Sequence, residues 1–260
     1  MNRSTIRRQA LRLFAWLGVA LLVVAALAVG FLGTPYQGTA ESISAVEDDP
    51  DVTVDRTNGG YVLQPATTES EVGVVFYPGG RVDPNAYMAS LAPLVREANV
   101  TVVVPRMGLN LAVVDYGLAA TGFGTHAADS AMAAHPEIDE WYVGGHSLGG
   151  AMACRYTATN PAIEGLVLYA SYCDVDISDR DLAVVSVTGS ADGVLNTDAY
   201  EATLDNLPAS TQLAELDGVN HTQFGSYTGQ DRPSGTSYET AHSRLNRVVV
   251  PWLQAETSRR

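Results

Sequence analysis

Lysine is absent from all 260 residues of the chain. Its fifteen basic side chains are arginines, set against twenty-nine acids for a formal net charge of −14. Arg3, Arg7, Arg8 and Arg12 precede the first acidic residue, so the rest of the chain carries eleven arginines against twenty-nine acids, a net of −18. Such a surface repels a phosphate backbone, which excludes nucleic acid as a partner. Self-repulsion of that size destabilises a compact state at low salt and is a pattern of halophiles, so a high-salt habitat is expected. Cysteine is scarce, at Cys154 and Cys173 only. Cys154 falls about two helical turns beyond a tight turn expected at Ser147, and Cys173 lies past the carboxyl end of a strand. Two separate thiols are expected, because a bridge needs Cα atoms within about 7 Å. There is no C-x-x-C and no histidine pair at helical interval, so neither a metal nor a cofactor is expected. Repeats and low-complexity runs are also missing, and the length allows one domain with a sizeable core.

What is present begins with an apolar run. Leu13 to Leu32 holds twenty residues without a charge. At about 1.5 Å per residue, a helix of that length crosses a hydrocarbon core of roughly 30 Å. No basic residue follows until Arg56, so the positive-inside rule keeps residues 1–12 in the cytoplasm and sends the remainder outward. The expectation is a single-pass anchor at 13–32 in the lipid bilayer, a linker at 33–50 that turns acidic, and an outward-facing domain at 51–260. The competing reading is a secreted domain behind a cleaved signal peptide. Gly38-Thr39-Ala40 would be the small-x-small site and Arg7-Arg8 a hint of twin-arginine export.

Beyond residue 50 the pattern alternates between strand and helix. Val52-Thr53-Val54 and Tyr61-Val62-Leu63 flank Asn58-Gly59-Gly60, which predicts an antiparallel hairpin. Apolar strands are expected at 72–77, 100–104, 165–169 and 182–188, and helices at 125–134, 198–207 and 238–252. Nearly continuous valine-rich strands between helices predict an α/β domain whose mostly parallel sheet is covered on both faces.

One short segment carries chemistry. Gly145-His146-Ser147-Leu148-Gly149 follows the apolar run Trp141-Tyr142-Val143 and precedes the helix-forming Ala151 to Tyr156. A G-x-S-x-G between strand and helix is a nucleophile elbow, a turn so tight that flanking glycines must leave it room. Serine at its free pKa is a poor nucleophile, so a base and an orienting acid are required. Asp192 follows the strand ending at Thr188, and His221 follows the strand at 213–216, both at carboxyl ends where open α/β sheets place their sites. The order Ser, Asp, His is the one such folds use. An oxyanion needs two amide donors. One is expected from Leu148, the residue after the nucleophile. The other is expected from Gly80 in Pro78-Gly79-Gly80-Arg81, after the third strand, with Arg81 as the neighbouring candidate.

The Phe-Tyr-Pro-Gly-Gly entry, the Gly-Gly-His-Ser-Leu-Gly-Gly elbow and Asn220-His221-Thr222-Gln223-Phe224-Gly225 together resemble the small single-domain α/β-hydrolases of the dienelactone-hydrolase and carboxylesterase branch. The resemblance spans roughly residues 50 to 254 and implies a serine hydrolase acting on an acyl bond of a small-molecule substrate. It departs from lipases at Pro78, where many have histidine. The interval between Ala170 and Leu182 is too short for the helical lid this family often inserts. An open site is therefore expected, rimmed by Arg81, Tyr172 and a flexible segment at 222–236. The reading is a membrane-anchored carboxylic-ester hydrolase. Thioester or amide cleavage by the same triad, and a binding protein that kept the fold without turnover, are the alternatives.

Overall fold

A computed structural model describes residues 3–57 and 60–259, with backbone alone over 3–13 and at 15. Helix α1 (Arg3–Leu32) belongs to a unit of its own that ends at Pro35. Its side chains from Phe14 and Trp16 to Phe31 are largely exposed. Among the described residues no helix is long and apolar enough to cross a membrane, so the span expected over 13–32 is not borne out.

The second unit begins at Tyr36, so most of the expected linker is folded. Helix α2 (Ala40–Glu47) is capped by the Thr39 side chain, buries Val46, and ends in an ion pair with the first strand through Glu47 and Arg56. The eight strands are β1 (Val52–Thr57), β2 (Gly60–Pro65), β3 (Val72–Tyr77), β4 (Thr101–Val104), β5 (Glu140–His146), β6 (Ile163–Tyr169), β7 (Ala183–Gly189) and β8 (Gln212–Leu216). They form one sheet in the order β1-β2-β4-β3-β5-β6-β7-β8. β1 and β2 pair antiparallel as the hairpin pattern predicts, although Asn58 and Gly59 of its turn lie outside the described residues. β2 also runs antiparallel to β4, and every other pair is parallel.

Strand period decides where the core lies. Val74 and Phe76 of β3 enter one buried cluster, with α3 (Met88–Ala98) and α8 (Tyr238–Thr257), while Val75 and Tyr77 enter another. That second cluster includes residues of α5 (Ala127–Ala134) and α6 (Leu148–Thr159), and α4 (Ala112–Ala120) packs beside α6. Both faces of the parallel sheet are therefore covered, as its unbroken apolar strands require. The short α7 (Thr197–Ala202) continues into a 3-10 turn at Leu204–Asn206, which accounts for the single helix expected over 198–207.

Register brings the loops together. Tyr77 at the end of β3 pairs with Gly145 of β5, and His146 pairs with Tyr169 of β6. Gly189 of β7 pairs with Leu216 of β8. All five carboxyl ends open on the same edge, and β3 stands where strand order reverses between β4 and β5. That reversal is the place where an open α/β sheet leaves a crevice.

Cys154 and Cys173 are disulfide-bonded, with Cα atoms 5.5 Å apart, which corrects the expectation of separate thiols. The segment after β6 does not stay at the sheet edge but descends along α6. Ser171 Oγ donates to Ser147 O at 2.7 Å, Asp174 takes a bidentate pair from Arg155, and Arg180 donates to the carbonyls of Thr157 and Asn160. These contacts lay Cys173 against Cys154. In chain-entropy terms, a bridge across such a loop contributes about 3 kcal/mol. Reduction, or Cys154→Ser with Cys173→Ser, is expected to lower Tm by roughly 6–12 °C at ~2–4 °C per kcal/mol. Calorimetry on oxidised and reduced protein is the measurement, and an unchanged Tm would refute a stabilising bridge.

Candidate active site

Ser147 sits between β5 and α6 with φ 53 and ψ −124, a conformation that a side chain tolerates poorly. The surrounding bonds hold it there. Its N–H donates to Tyr169 O at 3.0 Å, and its carbonyl accepts from Ala151 N and Ser171 Oγ. The turn is tight enough that a Cβ on Gly149 would lie 2.2 Å from Tyr77 O, so the glycine is required by close approach.

The Asp192 and His221 side chains lie next to each other, 2 % and 1 % exposed, with Asp192 Oδ2 2.8 Å from His221 Nδ1. Asp192 Oδ1 accepts the N–H groups of Val194 and Leu195, each at 2.8 Å. The carboxylate is thus satisfied on both oxygens and aims one at the imidazole. His221 opens a 3-10 turn, His221–Phe224, that is closed by a reciprocal cap. Asn220 Oδ1 accepts Gln223 N–H and Gln223 Oε1 accepts Asn220 N–H. That cap is the physical content of the Asn-His-x-Gln pattern. With Nδ1 bound to Asp192, Nε2 of His221 is buried and has no hydrogen-bond partner. Its ring lies 4.3 Å from that of His146, the neighbour of Ser147.

The loop after β3 is braced through a tyrosine. Gly79 N–H donates to Tyr87 Oη at 2.9 Å, and Tyr87 Oη lies 2.9 Å from His146 Nδ1. Burial lowers the pKa of His146 well below its ordinary value, and the nearby His221 lowers it further. Neutral His146 shares one hydrogen bond with the phenol through Nδ1. Burial also raises the Tyr87 pKa, against the Gly79 amide bond, so the phenol stays protonated. Of the two amides considered for the oxyanion, Arg81 N–H donates to Asn110 O at 2.7 Å. Leu148 is the first residue of α6, so its amide has no carbonyl one turn earlier.

Arg81, with φ 59, holds its guanidinium 5.1 Å from the Tyr36 ring centre. Tyr172 is half-buried beside Ser171. The first part of the flexible rim expected at 222–236 is packed, while 228–236 stay half-buried or exposed. Thr222, Gln223, Phe224, Ser226 and Tyr227 are buried, and Gln223 Nε2 donates to Thr236 O. Its Gly, Ser and Thr content reads as loose only while those partners are unknown. A groove of about 1250 Å³ opens between α2, α3 and α8, lined in part by Thr236, and none of Ser147, Asp192, His221, Gly80, Arg81 and Tyr172 lines it.

Residues 73–243 match the model of the alpha/beta hydrolase family. The chain belongs to that family. No curated protein sequence matches this hydrolase. Among solved structures it is similar to a protein of Thermoplasma acidophilum assigned as a CIB-like hydrolase. That likeness has 15 % identity and TM-score 0.52, and covers 78 % of this chain and 97 % of the other. It is also similar to a Klebsiella pneumoniae protein assigned as a dienelactone hydrolase, at 14 % identity and TM-score 0.52, over 78 % and 98 % of the two chains. At such identities the likeness is one of fold.

Sequence reasoning passed over Ser171, Tyr87 and Asp231. Ser171 and Tyr87 had no local signal, since a serine after a strand and a tyrosine before a helix are ordinary. Asp231, whose carboxylate accepts the N–H groups of Gly193 and His221, sits in a segment that composition marks as solvated.

The two glycines of the β3 loop should behave differently. A Cβ on Gly79 would lie 2.7 Å from His146 Nδ1, whereas one on Gly80 meets nothing nearer than 3.6 Å. Gly79→Ala is expected to cost about 1–3 kcal/mol by overpacking, and Gly80→Ala less than about 0.5 kcal/mol. Denaturant unfolding of both variants measures this, and equal stability would contradict the packing described.

Proposed function

We propose that this hydrolase cleaves carboxylic esters with Ser147 as nucleophile, His221 as general base and Asp192 as the acid that orients it. The observation that carries the reading is the buried 2.8 Å Asp192–His221 pair, whose imidazole lies 4.3 Å from the ring of His146, the residue before a serine held at φ 53. In this mechanism Ser147 Oγ attacks the acyl carbon while His221 Nε2 takes its proton. Asp192 keeps the other ring proton on Nδ1 and stabilises the imidazolium. The negative charge gathers on the former carbonyl oxygen, where the amides of Gly80 and Leu148 receive it. Each such donor is worth about 3–4 kcal/mol, and the Leu148 amide is aided by the positive end of α6. Collapse of this intermediate expels the alcohol, which takes the proton from His221. Water, activated by the same imidazole, then releases the acid and restores Ser147.

A fluorophosphonate probe should label Ser147, and Ser147→Ala should abolish both labelling and ester turnover. Asp192→Asn and His221→Ala should each lower kcat by orders of magnitude in a folded protein. Turnover that persists in Ser147→Ala would remove the assignment.

Acyl preference follows from the missing lid. The segment 171–182 is committed to α6 by the Arg155–Asp174 pair and the disulfide. It therefore leaves no apolar cover for a long chain, and each methylene left in water forgoes about 0.8 kcal/mol. Acetyl to butyryl esters should show the highest kcat/KM, level or falling beyond about eight carbons. A steady rise to palmitoyl esters would refute the open site.

The same proposal places the domain outside the cytoplasm. The disulfide favours an oxidising compartment. Protease added to intact cells, together with the amino-terminal sequence of the released domain, tests this. A domain protected until lysis would refute it.

A further inference from the structure

Gln230, Asp231 and Arg232 lie outside the proposed triad but touch the β3 loop, the Asp192 loop and the His221 loop. Gln230 Nε2 donates to Gly80 O at 3.4 Å. Asp231 Oδ2 accepts two amides, Gly193 N–H at 3.0 Å and His221 N–H at 3.0 Å, while Oδ1 accepts Arg232 N–H at 2.6 Å. Asn220 Nδ2 closes the set by donating to Arg232 O at 2.6 Å. One carboxylate oxygen thus joins the residue after Asp192 to the backbone of His221 itself.

We propose that Asp231 is a positioning residue of this hydrolase. It clamps the Asp192 loop to the His221 loop through those two amide bonds, and it sets a second negative charge beside the imidazolium that forms in turnover. The proposal rests on the serine-hydrolase reading above. A carboxylate suits the task, since amide bonds to a charged acceptor are about twice as strong as neutral ones. Asp231 holds its charge. Burial alone would raise its pKa, but the amides of Gly193, His221 and Arg232, with the charge of His221, outweigh that and lower it. Space has been left for the clamp too, because a Cβ on Gly193 would lie 2.9 Å from Asp231 Oδ1.

Three titratable groups face His221. Asp192 binds Nδ1, His146 lies against the ring, and Asp231 holds the backbone. His146 is kept neutral, its pKa lowered first by burial and then by His221, so the two aspartates supply the negative charge. Both favour the imidazolium that forms in turnover.

Asp231→Asn in the full chain tests this. The variant should keep the parent Tm and KM while kcat falls about 10–100-fold, the scale of a 1 Å misplacement of catalytic groups. An unchanged kcat would overturn the proposal. So would a kcat loss that tracks a fall in Tm, since that describes a merely structural side chain. If Asp231→Asn fails to fold, Gly193→Ala decides, because it displaces the carboxylate without removing its charge. It should lower kcat, and full activity in Gly193→Ala would count against the clamp. Amide hydrogen exchange over 190–196 and 219–224 should speed up in Asp231→Asn, and it needs no turnover. Were Ser147 of the parent chain unlabelled by fluorophosphonate, the hydrolase reading would fall, while the exchange rates would still decide whether Asp231 joins the two loops.

Discussion

A single strained residue sets the terms for this end of the sheet. Ser147 sits at φ 53, an arrangement that costs on the order of 1–3 kcal/mol and persists only where neighbours over-determine it. Those neighbours come from two strands. Tyr169 at the end of β6 accepts its amide, Ser171 just beyond donates to its carbonyl, and β3 approaches so closely that Gly149 has no room for a side chain. Ala170, between Tyr169 and Ser171, also has positive φ, at 43. The strain is therefore shared by two adjacent crossings of one sheet edge, and the disulfide and the Arg155–Asp174 pair anchor the second crossing along α6.

Around that elbow lies a buried network that is polar and aromatic together. Gly79, Tyr87 and His146 form a chain of hydrogen bonds from the β3 loop to the residue before the nucleophile. Phe76, Tyr169 and Phe224 fill the space between them. In so dry a setting an unpaired charge would be costly. His146 stays neutral for that reason, while the Asp192 carboxylate is buried against the imidazole of His221. Asp192 meets the cost of burial with two amide bonds and one imidazole bond, which leaves His221 Nε2 as the open end of the network.

Much of this was legible in the chain itself. Strand periodicity located β3, β5, β6 and β7 because parallel strands buried on both faces need unbroken apolar runs. The elbow stood out because its glycines answer a local steric demand. Asp192 and His221 were visible because each follows a strand in the order that the fold uses. The helix α2, the partnership of Cys154 with Cys173 and the packed state of 222–227 were not visible. Each depends on a contact far away in sequence, and composition describes such segments only by what they would do in water.

By itself the sequence determined the alternation of elements, the two-sided core, the tight turn at Ser147 and the side-chain types that reach the carboxyl edge, since these follow from local sterics and hydrophobic period. Tertiary structure alone decided the pairing of Asp192 with His221, the course of 171–182 down α6 that brings the cysteines together, and the reach of Asp231 across two loops. Strand register and helix packing bring those groups within 3.0 Å, and neither is encoded within a few residues of the groups it joins.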